Sequence, residues 1–154
     1  MRVKLLLPAA AALLGSAGTA HAADCEVRAT PLVFGSYRPT VRGPTDVTAT
    51  ITVTCTAVEA EDVAYEIELT GAENDLLETP EGGPPLRYGI FVDSPRLRRW
   101  GDGLGGTATL AGSMSLSPGE RRSISHTVYG RLPGGQRARA GAYFQAPMIA
   151  LRLL

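Results

Sequence analysis

Between Val47 and Thr56 the chain alternates without a break. Val47, Ala49, Ile51, Val53 and Cys55 take every other position, and Thr48, Thr50, Thr52, Thr54 and Thr56 fill the rest. A period of two gathers the apolar set on one face of a strand and would scatter it around a helix. Valine, isoleucine and threonine also suit a pleated surface because their branched Cβ atoms are already stiff. The run predicts a half-buried strand with Cys55 on its inner face.

The same period recurs along the chain. Cys25, Val27 and Ala29 alternate with Glu26, Arg28 and Thr30, and Val63, Tyr65, Ile67 and Leu69 alternate with Ala64, Glu66, Glu68 and Thr70. Leu86–Val92, Thr107–Met114 and Ser123–Leu132 predict further strands. The run from Tyr143 to Leu154 predicts the last, with Pro147, Ile149, Leu151 and Leu153 on one face. Turn signals separate these runs: Arg42-Gly43-Pro44, Glu81-Gly82-Gly83-Pro84-Pro85, Ser117-Pro118-Gly119 and Pro133-Gly134-Gly135. Beyond residue 22 no long 3.6-residue pattern occurs. Short strands punctuated by glycine and proline predict an all-β sandwich. A chain of 154 residues, 44% hydrophobic and 19% charged, is one domain with a real core and is not disordered.

The first residues read differently. Arg2 and Lys4 precede an apolar stretch from Leu5 to Leu14, and Ala20-His21-Ala22 follows. This is the pattern of a secretory signal peptide, with a core too short for the ~20 residues that span a bilayer. A membrane anchor is the rival reading of the same stretch. A lipoprotein is disfavoured because Asp24, not a small residue, precedes Cys25. The expected division is a signal peptide over 1–22 and one domain over 23–154. Cleavage removes Arg2, Lys4 and His21, which leaves 13 basic against 15 acidic groups, arginine as the only strong base and His126 as the one histidine. A net charge of −2 excludes the basic face of a nucleic-acid binder. An exported chain with two cysteines, Cys25 and Cys55, favours a disulfide.

Motifs for chemistry are weak. Gly101-x-Gly103-x-x-Gly106 matches a dinucleotide fingerprint as a string, yet no βαβ unit surrounds it. It reads as a turn, and Asp102 alone falls short of a calcium site. His126 is the only imidazole base, on a strand face with Ile124 and Val128, and no G-x-S-x-G elbow accompanies it. Glu59, Glu61, Asp62, Glu66 and Glu68 read as solvated charges around a strand, not as paired catalytic acids. Arg96, Arg98 and Arg99 before Trp100 could form a surface-binding loop. The competing reading packs Trp100 at the sandwich edge with the arginines in solvent. No catalytic residue, metal ligand or cofactor is expected.

Several phrases occur in a fixed order. Cys25 to Tyr37 reads C-E-V-R-A-T-P-L-V-F-G-S-Y, and Val53-Thr54-Cys55 ends the second strand. Leu86-Arg87-Tyr88-Gly89-Ile90-Phe91-Val92-Asp93 leads to Trp100-Gly101-Asp102-Gly103-Leu104-Gly105-Gly106-Thr107. Val128-Tyr129-Gly130-Arg131-Leu132-Pro133, Gln136 and Ala140-Gly141-Ala142-Tyr143 follow. The ordered set resembles the spore coat protein U domain, shared by subunits of archaic (Csu-type) chaperone–usher pili.

The resemblance implies an incomplete immunoglobulin-like sandwich of six strands, whose seventh strand is supplied by donor-strand complementation. It implies a periplasmic chaperone, an outer-membrane usher and neighbouring pilin subunits as partners, and no enzymatic activity. The groove is expected along Val27, Ala29, Pro147, Ile149, Leu151 and Leu153. Subunits that donate a strand carry an alternating extension before the first cysteine. Cleavage after Ala22 leaves only Ala23 and Asp24 there, too few for a strand. A terminal, tip-like subunit is therefore expected, or a secreted coat or matrix protein that does not polymerise through an usher. A small exported glycan-binding module or hydrolase is the third reading. Pro147 departs from the family's alternating last strand and removes a backbone donor, which suits an edge or bulge.

Overall fold

The computed structural model describes residues 23–71 and 75–154, so the signal-peptide expectation for residues 1–22 lies outside the described residues. The described chain is all strand and connection. Nine strands occur: β1 (Ala23–Ala29), β2 (Thr45–Ala57), β3 (Glu61–Thr70), β4 (Leu76–Leu77), β5 (Leu86–Arg87), β6 (Gly89–Phe91), β7 (Leu110–Leu116), β8 (Arg121–Leu132) and β9 (Met148–Leu153). No helix among the described residues is long and apolar enough to cross a membrane.

Two sheets face each other, one in the order β1-β2-β8-β6 and the other in the order β7-β3-β9, while β4 and β5 form a separate short pair. All pairings between these strands are antiparallel. This is an immunoglobulin-like β-sandwich.

The alternation of β2 is realised in the core. Ile51, Val53 and Cys55 are buried to 1% exposure or less, and opposite them on β3 lie Val63, Tyr65 and Ile67, buried as deeply. Removing each large aliphatic side chain from water contributes about 2 kcal/mol, which is why the register holds: a slip of one residue would turn the threonines inward. Outside, the threonines continue across the sheet. Thr54 and Thr52 on β2 form hydroxyl–hydroxyl bonds with Ser123 and Ser125 on β8, at 2.8 and 3.1 Å. Cys25 and Cys55 stand directly opposite one another in the β1–β2 ladder, with Cα atoms 4.1 Å apart, and are joined as a disulfide. That spacing is the close approach of a directly opposed antiparallel pair.

One glycine is demanded by this packing. Tyr65 lies across Gly112 of β7, and a Cβ there would stand 2.4 Å from the tyrosine oxygen.

The structure redraws three sequence boundaries. The run Leu86–Val92 is split into β5 and β6 because its partner changes: up to Tyr88, whose N–H donates to the Asp75 carbonyl, it follows β4, and from Gly89 it pairs with β8. The strand expected over Thr107–Met114 starts later, at Leu110, because Ala108 is already bonded to the Arg99–Gly101 segment. The last run becomes a strand only from Met148. Residues 133–147 instead form a long connection, tied down by two amides. Gln136 exchanges bonds with the backbone of Arg87 at 2.7 and 2.8 Å, and Gln145 donates to the carbonyl of Gly71 at 2.8 Å while accepting from the Tyr88 hydroxyl. Burial, reinforced by the Asp75 carboxylate, holds the Tyr88 phenol up at about 12, so it remains a donor to Gln145.

Candidate functional site

Both sheets are unfinished on the same side. β1 ends one sheet and β9 ends the other, and the two edges pack near one another without sharing a ladder. Burial falls away towards these edges. Leu151 is half-buried although its ladder partner Ile67 is fully buried, and Ile149 and Leu153 stand in the same relation to Leu69 and Tyr65. The first sheet repeats the pattern, since Val27 is half-buried beside a Val53 of 0% exposure and Ala29 is exposed beside Ile51. Along this seam the side chains that point at the core lose cover together.

Between the seams lies an apolar cavity of about 340 Å³, lined by Ala29, Ile51, Leu69, Trp100, Val128 and Ile149 among others. It continues, through the shared walls Leu32, Phe34, Leu77 and Gln145, into a wider cleft of about 770 Å³. The cleft is bounded by residues 32–37 after β1 and 138–145 before β9. The free side of β9 offers this groove unpaired backbone groups, as any edge strand does. The arrangement can hold an extended segment: main-chain bonds along β9 and apolar side chains inserted between the sheets.

Of the six expected groove residues, Ala29, Pro147 and Ile149 line the cavity. Val27, Leu151 and Leu153 pack against the core farther along the same seam and do not line it. Pro147 falls just before the β3–β9 ladder, which begins with Thr70 opposite Met148, so its missing N–H removes no bond of that ladder. The sequence reading missed Leu32, Phe34, Leu69, Ile90, Trp100 and Val128 as walls. Leu32, Val33 and Phe34 are all apolar, so the sequence did not show which would turn inward; Val33 points out at 68% exposure.

The expected surface loop is not a single patch. Trp100 is only 5% exposed, and its indole N–H donates to the carbonyl of Ile67 at 3.0 Å, so its ring is a wall of the cavity. Arg99 pairs with Asp75 and lies over Phe91, whereas Arg96 lies 5.6 Å over the Tyr129 ring and 3.5 Å from Asp46. Arg98 is exposed, and its backbone N–H is taken by Asp93. Asp46 is held below the usual carboxylate range by its bonds from Arg131.

The other motifs resolve into structure. The Asp102 carboxylate accepts from the Leu104 N–H at 2.9 Å and the Thr107 hydroxyl at 3.2 Å, closing a turn in which Gly103 and Gly106 have positive φ. Glu66 and Glu68 both pair with Arg152 across the β3–β9 ladder. His126 forms a 2.9 Å bond between its Nε2 and the hydroxyl of the buried Tyr65, which ties one sheet to the other.

That tie predicts a pH dependence. Burial lowers the His126 pKa below its ordinary 6.5, so the folded chain binds fewer protons there than the unfolded chain. Its stability contribution is complete above the unfolded value and is lost as pH falls below about 6.5. Chemical denaturation at pH 7.5 and 5.5 should show wild type losing more stability between the two than His126→Gln. Equal losses would refute the assignment.

Comparison with individual curated proteins gives no match. The family model described as the Spore Coat Protein U domain matches residues 11–146, which takes in every strand from β1 to β8. With the open sandwich and the β1–β2 disulfide, this match over most of the chain means that the protein belongs to the Spore Coat Protein U domain family, a family of structural proteins of spore coats and chaperone–usher pili.

Proposed function

We propose that the chain is a non-enzymatic, exported subunit of a chaperone–usher surface pilus, and that it accepts a strand from another molecule along β9. The carrying observation is the loss of cover from Tyr65, Ile67 and Leu69 to their partners Leu153, Leu151 and Ile149 beside an apolar cavity. A seventh strand would pair with β9 and fill that space, first from a periplasmic chaperone and then from a neighbouring pilin delivered at the outer-membrane usher. Val27, Ala29, Pro147, Ile149, Leu151 and Leu153 are the contacts assigned to it.

β1 bears on the position in a fibre. If processing follows Ala22, every residue that remains upstream of Cys25 is already paired with β2, since Ala23 faces Ala57 and Asp24 faces Thr56. Nothing is then left to donate. This favours a terminal subunit, or a coat or matrix role outside an usher fibre.

The test is direct binding. A labelled peptide of about eight residues alternating threonine and valine, a length ordinary for a strand, should bind the chain saturably by fluorescence anisotropy. Ile149→Arg places a charge at the cavity wall and should weaken binding at least tenfold. Absence of binding to wild type, or equal binding by the variant, overturns the proposal.

A further inference from the structure

The sheet that ends in β9 has a second edge, β7, and a strand seated on β9 leaves it open. Among the described residues β7 pairs with β3 alone. Every other residue of such an edge directs its N–H and C=O groups away from the sheet.

Edges of stable proteins are usually blunted by charge, proline or shortness. Each remaining edge here is accounted for. β1 carries Asp24, Glu26 and Arg28, β6 is three residues long with Ile90 and Phe91 bridged to the Arg99–Trp100 segment, and β9 is the edge assigned to the incoming strand. β7 has none of these devices. It is seven residues long, its exposed face is Ala111, Ser113 and Ser115, and no charged residue occurs anywhere from 103 to 119.

We propose that β7 is a self-pairing edge that joins two copies of this chain about a two-fold axis. The antiparallel register that pairs all seven residues sets Ser113 opposite Ser113, Ala111 opposite Ser115, Leu110 opposite Leu116 and Gly112 opposite Met114. No charge meets its like, and the small exposed side chains let the backbones close to hydrogen-bonding distance. The corresponding pairing of β1 would set Glu26 against Glu26, which like-charge repulsion disfavours. Charge thus singles out β7 among the edges, and its self-register, in which neither like charges nor bulky exposed side chains meet, fits a second β7 as the occupant. The product is one sheet running β9-β3-β7 through one copy and β7-β3-β9 through the next, an isologous contact. One edge is a weak contact alone, and it gains through avidity wherever many copies are held in a row.

This contact does not depend on strand acceptance, because it uses the opposite edge of the sheet. The experiment is sedimentation over a wide concentration range, on the chain and on the chain with β9 covered by a fused alternating threonine–valine extension. The extension blocks association through β9. Wild type should dimerise in both forms. Ser113→Lys and Ser113→Glu each place like charges face to face and should weaken the dimer about fivefold, while an equimolar mixture of the two should restore it. Circular dichroism of each variant checks the fold. A wild type that stays monomeric at every concentration overturns the proposal, as do variants that associate like wild type or a mixture no tighter than its components. Failure of strand acceptance would appear separately, as an extension that adds no stability, and would leave the Ser113 comparison intact.

Discussion

Fusing a strand of alternating threonine and valine after Leu154, through an Asn-Gly turn, is expected to raise the melting temperature by about 15 °C. The Asn-Gly pair supplies the turn that a two-residue hairpin needs, so the added strand returns antiparallel along β9. Its inward valines enter the cavity beside Ile149 and Leu69, where cover is now missing. Three or four partly buried valines at about 1–1.5 kcal/mol each stabilise the fold by about 4 kcal/mol. For a domain of this size that corresponds to about 3–4 °C per kcal/mol. The outer threonines face solvent and contribute little. An extension with serine in place of each valine separates the two parts of the effect: it keeps the backbone pairing, loses the apolar filling, and should give less than half of the shift. An unchanged melting temperature with the valine extension would mean that the sandwich is already complete.

Loss of the disulfide is the second large effect. The bridge spans a sequence separation of 30, for which the chain-entropy model gives about 3–4 kcal/mol. Cys55 is fully buried, so its replacement also leaves a small void next to Val53. The double variant Cys25→Ala/Cys55→Ala should therefore unfold at a clearly lower denaturant concentration, by about 3 kcal/mol or more. Reduction of the wild-type chain removes the cross-link but not the sulfur atoms. It should reproduce most of the loss, and the difference between the two measures the void. A combined loss below about 1 kcal/mol would show that the β1–β2 ladder holds without its cross-link.

The long strands were legible because their burial is periodic. In β2 and β3 one face meets the opposite sheet along its whole length, and the sequence records that as alternation from Val47 to Thr56 and from Val63 to Thr70. Strand ends were less legible, because they are set by partners elsewhere in the chain. Leu110 begins β7 only because Ala108 is taken by the Arg99–Gly101 segment, and Met148 begins β9 only because Gln145 anchors the preceding connection to Gly71. The cavity was read least completely. Its seam strands alternate and exposed Ala29, Pro147 and Ile149 to inspection, whereas Leu32, Phe34 and Trp100 come from connections with no sustained period. Trp100 in particular follows three arginines in four positions, which suggests a surface, yet its indole N–H is satisfied inside by the Ile67 carbonyl.

The placing of the disulfide makes the two lips of the groove mechanically unequal. On one side β1 is bonded through all seven residues to β2 and is also covalently clamped there by Cys25 and Cys55. On the other side β9 is held by hydrogen bonds and ion pairs to β3, and the connection before it by the amides of Gln136 and Gln145 and a two-way backbone bridge between Phe144 and Glu78, with no covalent cross-link. Local opening costs least where no covalent bond must yield. The expected consequence is a seam with one fixed lip and one that yields first: amide exchange should be quicker along β9 than along β1.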